Sequence, residues 1–167
     1  MLLVQQSPTP QTIQSKPPLS FIEEKALEYC AASGIDSANQ WIEQIEFAGQ
    51  QVQSGNNNGY LDNTGNAVID LTKGENALKL TPGYSGKAYR KKWRVWIDIN
   101  QDGTFTKNER VYNGRSRKTI NSTLTIDSAA LAGETRMRVA MRWGKKPKAC
   151  GAFEYGEVED YTVNILP

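Results

Sequence analysis

The sequence predicts an all-β fold, an antiparallel β-sandwich of about eight or nine short strands. Three observations carry that expectation. Apolar residues recur at every second position in short runs, the period of a strand with one buried face. Breaks rich in Gly and Asn separate the runs. The most distinctive loop, DINQDGTFTKNE at 98–109, is flanked by Trp-, Val- and Ile-rich residues and not by helical stripes.

Residues 1–19 (MLLVQQSPTPQTIQSKPPL) read as a linker or extended tail, and 20–167 as a single domain. Met1 to Val4 is too short for a signal peptide, so no export signal is expected within the chain. Pro8, Pro10, Pro17 and Pro18 oppose a helix in the tail and leave LLVQQ and QTIQ as segments able to add a strand to a sheet edge. Ser20-Phe21-Ile22-Glu23 fits a capping box and predicts a short helix over SFIEEKALEY, broken by Cys30 to Gly34. WIEQIEF at 41–47 alternates as a strand, and SGNNNGYLDNTGN at 54–66 is a long polar loop. AVIDL and ALKLT are strands with a turn at Lys73-Gly74-Glu75, and TPGYSGK is a further turn. KKWRVWIDIN leads into the acidic loop and RVYNGRSRKTI leaves it. STLTI, TRMRVAMRW and VEDYTVNIL complete the strands.

Composition narrows the function. A chain of 167 residues has room for one real core. The net charge of +2 favours no particular partner, and the runs Arg90-Lys91-Lys92 and Lys145-Lys146-Lys148 read as solvated turns, so nucleic acid is not an expected partner. No apolar run is long enough for insertion in a membrane. The absence of histidine removes Ser-His-Asp triads, Cys-His dyads and zincin motifs. Glu157, Glu159 and Asp160 remain as an acid/base set, read more simply as structural partners, and the chain is expected not to be an enzyme.

The loop at 98–109 carries the full D-x-[DN]-x-[DN]-G-x5-E spacing of a calcium site. Asp98, Asn100 and Asp102 alternate inward, Gly103 allows the sharp turn, Thr104 offers a carbonyl, Thr106 acts directly or through water, and Glu109 closes the shell. The predicted cofactor is Ca2+, held between two strands, with Asp98, Asn100, Asp102, Thr104 and Glu109 as ligands. Cys30 and Cys150 are either buried thiols or, in an exported protein, a disulfide. As a disulfide, the closed loop would contribute at most roughly 4–5 kcal/mol. In TRMRVAMRW, Met137, Val139, Met141 and Trp143 share one face and Arg136, Arg138 and Arg142 the other. The arginine face is expected to pair with the acids of GEVEDY, with Arg136, Arg138, Glu157, Glu159 and Asp160 as the pairing set. Trp41, Trp93, Trp96 and Trp143 are candidate stacking platforms for sugars, with Trp143 assigned to the core by its alternation.

The run GEVEDY at 156–161 resembles the signature of the GEVED domain, a module of secreted bacterial proteins. Further pieces stand in the order of that family. They begin with Tyr29-Cys30, Ser54-Gly55, Gly59-Tyr60 with Asp62, and Tyr84-Ser85-Gly86. They continue through Trp96-Ile97-Asp98, Asn100-Gln101-Asp102-Gly103 and Phe105 to Gly133, Thr135 to Val139, and Cys150-Gly151. Ile99 departs from the aromatic residue usual there. The resemblance spans roughly 29–165 and implies a non-catalytic β-sandwich attached to exported enzymes or surface proteins. Its implied partners are other domains of a parent protein, an extracellular polymer or a cell surface, and its implied location is extracellular. The alternative is a subunit of an extracellular filament that self-associates through residues 1–19.

Overall fold

The alternating runs become two β-sheets packed face to face. The computed structural model describes residues 26–167, and among these there are strands and no helix. The strands are β1 (Ala32–Asp36), β2 (Gln40–Phe47), β3 (Gln50–Gln53), β4 (Tyr60–Asp62), β5 (Ile69–Leu71), β6 (Gly74–Tyr84), β7 (Lys91–Ile97), β8 (Arg110–Ser116), β9 (Ile120–Ile126), β10 (Gly133–Trp143) and β11 (Gly151–Ile165). The smaller sheet has the order β3-β2-β6-β9 and is antiparallel throughout. The larger has the path β1-β11-β10-β7-β8, with β4 and β5 also on β11.

Inward-facing residues of both sheets form one core. Ile42, Ile45 and Phe47 of β2 and Leu78 and Leu80 of β6 meet Trp93, Val95 and Ile97 of β7, Met137, Val139 and Met141 of β10, and Tyr161 and Val163 of β11. The opposite face of the larger sheet carries a second, smaller cluster of Ala32, Trp96, Ala140, Phe153 and Val158, against which Phe105 packs.

The structure corrects several expectations. The larger sheet is mixed: β1, β4 and β5 lie parallel to β11, one after another along its edge. β1 and β4 carry no alternation long enough to read and lie in stretches predicted as a helix stop and a loop, whereas β5 falls in the predicted strand AVIDL. The predicted helix at 20–29 is not supported: Ala26 to Tyr29 have no helical turn, and 20–25 lie outside the described residues. The tail segments LLVQQ and QTIQ also lie outside them.

Both cysteines form a disulfide, Cys30–Cys150, across a sequence separation of 120. Beside it stands Arg138, 1 % exposed, on the outer face of β10. Its Nε and Nη2 donate to the two carboxylate oxygens of Asp160 at 2.7 Å each, a bidentate pair. Its Nη1 donates to the carbonyls of Cys30 (2.8 Å) and Ala149 (2.6 Å), one on each side of the bridge. The guanidinium also lies 5.0 Å from the centre of the Phe105 ring.

The period of two explains what happens to GEVEDY. Only Asp160 falls on the arginine face, opposite Arg138 and 3.8 Å from Arg136. Glu157 and Glu159 point the other way, between the sheets, and pair with no arginine. The remaining arginines of the row meet aromatic rings, Arg136 over Tyr29 and Arg142 over Phe153. Gly156 has φ +136, and a Cβ there would stand 2.0 Å from the carbonyl oxygen of Met141, so this position takes only glycine.

Removing one member of a buried ion pair leaves the other charge uncompensated. Arg138→Ala and Asp160→Asn are each expected to cost about 3–5 kcal/mol in guanidinium unfolding. A loss under about 1 kcal/mol would show the pair to be no stronger than a surface one.

Candidate metal centre

The twelve residues 98–109 connect β7 to β8, two antiparallel neighbours. Both ends of the loop are fixed by backbone. Ile97 N donates to the Glu109 carbonyl at 3.0 Å, and Asp98 N donates to the Arg136 carbonyl of β10 at 3.0 Å. Thr135 Oγ1 donates to the Asp98 carbonyl at 2.7 Å. The chain between has to turn back within a few residues, and Gly103 does so at φ +83.

Asp98, Asp102 and Glu109 each bring a carboxylate oxygen to within 4.8 Å of the others. Asp98 and Glu109 are buried, and Asp102 is exposed. Asp98 accepts from Tyr29 Oη (2.6 Å), Gly103 N (2.9 Å) and Asp102 N (3.2 Å). Burial and the bond to Asp98 push the Tyr29 phenol up to about 12. Asp102 accepts from the hydroxyl and amide of Thr104, at 2.6 and 2.8 Å, which hold its carboxyl below the usual range. Asn100 Nδ2 donates to the other Asp102 oxygen at 2.9 Å. Glu109 Oε2 accepts from Thr106 N and Oγ1, at 2.8 and 2.9 Å. Its Oε1 is buried and has no hydrogen-bond partner among the described residues.

That oxygen is the test of fit. A buried acceptor on a charged group with no donor is costly, and native structures rarely keep one without a reason. Three carboxylates converge with it, and all available donors are oxygen, the set that suits a hard divalent cation. Asp98, Asp102 and Glu109 therefore fit a cation. Asn100 and Thr104, the other expected ligands, are bonded within the loop to Asp102. Leu27 and Tyr29 cover the loop from the N-terminal side, which motif spacing could not reveal.

The two acids between the sheets form a separate cluster. Glu157 accepts from Ile42 N (2.8 Å) and Asn57 N (2.6 Å), tying β11 to β2 and to the loop before β4. Ile42 stands opposite Pro82, beside a register shift in the β2–β6 pairing. Burial raises the Glu157 carboxyl. Glu159 is fully buried; Tyr161 Oη donates to its Oε2, and its Oε1 has no partner among the described residues. Burial, with a smaller push from Glu157, raises this carboxyl to about 8, while the hydroxyls of Ser54 and Tyr161 oppose the rise.

The tryptophans also divide differently from the expectation. Trp93 is in the main core and Trp96 in the outer cluster, so neither is a platform. Trp41 is half-buried and donates its indole N–H to Glu43 at 2.6 Å. Trp143, assigned to the core by its alternation, is exposed because β10 outruns the core at that end.

These features define a class: an all-β, disulfide-closed domain with a three-carboxylate loop joining two strands. The family model of the GEVED domain matches residues 92–164, from β7 to the penultimate residue of β11. It takes in the acidic loop, the Arg138 strand and the GEVEDY motif, while the pieces from Tyr29 to Gly86 lie outside it. No curated protein matches the chain.

Glu159 sets a pH dependence. The unfolded chain ionises this carboxyl near 4.5, whereas the folded chain keeps the proton to about 8. Its contribution is fully present below 4.5 and is lost as pH rises toward 8. Melting temperature is expected to fall more steeply from pH 5 to 8 in the native chain than in Glu159→Gln. Parallel profiles would mean that Glu159 is ionised in the fold.

Proposed function

We propose that this chain is a non-catalytic, calcium-braced β-sandwich module of an exported bacterial protein, acting in binding or adhesion or as the accessory domain of a secreted enzyme. The unpartnered Glu109 oxygen beside Asp98 and Asp102 carries the reading. Calcium takes six to eight oxygens, and Asp98, Asn100, Asp102, Glu109 and the Thr104 carbonyl are the chain's candidates to supply them. The bound ion would offset the mutual repulsion of three acids and fix the β7–β8 connection to β10.

Two features support an extracellular setting. Disulfides persist in oxidising compartments. Loops of this kind outside the cell work with calcium at millimolar levels. The non-catalytic reading rests on the acids themselves. Glu157 and Glu159 are buried between the sheets, where no substrate reaches them, and Asp160 is held by Arg138. The chain has no histidine, the commonest general base near neutral pH.

Calcium is expected to raise the calorimetric melting temperature, chelator to lower it, and titration to give heat that saturates. Asp102→Ala, at an exposed position, is expected to abolish the calcium-dependent gain while the chain still folds. An unchanged melting temperature with no titration heat would sink the calcium reading.

A further inference from the structure

At the end of the sandwich away from the acidic loop, the inward faces of both sheets run past the core. Gln40 of β2 and Tyr84 of β6 are opposite one another in the smaller sheet. Trp143 of β10 lies opposite Lys91 of β7 in the larger. Lys91 and Trp143 continue the stripes Trp93-Val95-Ile97 and Met137-Val139-Met141 beyond the last core residue. Tyr155 of β11 and Tyr89 of the β6–β7 connection flank the indole, with ring centres 5.6 and 5.8 Å from it. Trp143 is 43 % exposed and Tyr89 47 %, so both side chains are partly open to solvent. Asp36, paired with Tyr155 in the larger sheet, and Asn39 and Gln40 also line the resulting cleft.

We propose that this mouth is a binding site for a neutral saccharide, with Trp143 as its stacking platform. The inference rests on the binding-module reading above and gives it a ligand class. The cleft encloses about 390 Å³, within the roughly 300–1,000 Å³ of small-molecule sites. A pyranose has an apolar face of C–H groups and a rim of hydroxyls. The C–H face complements the negative π-face of an indole. The hydroxyls complement the carboxylate of Asp36 and the carboxamides of Asn39 and Gln40.

Other ligand classes fit less well. A wholly apolar guest would leave those polar groups without partners. A quaternary ammonium would compete with two cations already on the aromatic wall. Lys87 Nζ lies 5.4 Å from the centre of the Tyr89 ring, and Lys91 Nζ lies 5.5 Å from it and 5.2 Å from that of Tyr84. A polyanion would meet Asp36 as well as Lys87, so the wall is not uniformly cationic.

The cleft and the acidic loop stand at opposite ends of β7, a strand about 20 Å long, so the two readings fail separately. The test titrates the full calcium-loaded chain with cellotetraose, xylotetraose, maltotetraose and the tetramer of N-acetylglucosamine, and with tetramethylammonium as the cation probe. Saturable heat is expected for at least one neutral oligosaccharide. Trp143→Ala and Tyr89→Ala, each with an unchanged calcium-dependent melting shift, are expected to weaken it about tenfold or more. Asp102→Ala is expected to leave it in place. Saccharide binding that survives both aromatic replacements would overturn the site. So would tetramethylammonium binding in its stead, or no binding by any of the four sugars. If the sugar result holds while calcium gives no heat, the calcium reading alone falls.

Discussion

A single buried guanidinium ties this fold together. Arg138 is out of contact with water, and all of its charge has to be met by protein. Asp160 meets it from the neighbouring strand, and the carbonyls of Cys30 and Ala149 meet it from the two sides of the disulfide. The same carboxylate accepts from Tyr60 Oη at 3.1 Å and so holds β4 against β11. Strand, bridge, parallel edge and aromatic cover all converge on one ion pair. An apolar pair of the same volume could fill this space. It could not bond the two part-buried carbonyls, which would then lose these donors.

The acidic loop depends on the same region. Its first residue is bonded to Arg136 O of β10, two residues from Arg138. Tyr29, which donates to Asp98, is the neighbour of Cys30 and lies over the Arg136 guanidinium. Phe105, inside the loop, packs 5.1 Å from Tyr29 and above Arg138. The loop is therefore laid over the outer face of the larger sheet and closed from above by the segment that leads into the disulfide. What holds the bridge also holds the candidate metal centre.

Much of this was legible in the sequence, and the rest was hidden for identifiable reasons. The loop could be read because a cation site imposes a fixed spacing on oxygen-bearing residues. β2, β7, β9 and β10 could be read because each buries one face in an antiparallel setting. β1 and β4 were hidden because their order comes from the edge of β11, a partner distant in sequence. The acids of GEVEDY were misread for a simpler reason. Treated as one patch of negative charge they all suit arginine, but neighbours on a strand face opposite ways. Glu157 therefore serves the amide of Ile42, Glu159 bonds with Tyr161, and Asp160 alone meets Arg138. Trp143 was misplaced because alternation tells which face a residue is on and not whether the opposite sheet reaches that far.

The disulfide also decides how the domain carries load. A pull between the segment before Cys30 and the end of β11 does not travel through the chain in order. It crosses from Cys30 to Cys150 and enters β11 directly. The residues between the cysteines are bypassed and feel no tension. β11, fifteen residues long, is already extended, and it is clamped along both edges. Under oxidising conditions the domain is thus a short, nearly inextensible link. Reduction would release the intervening residues as slack.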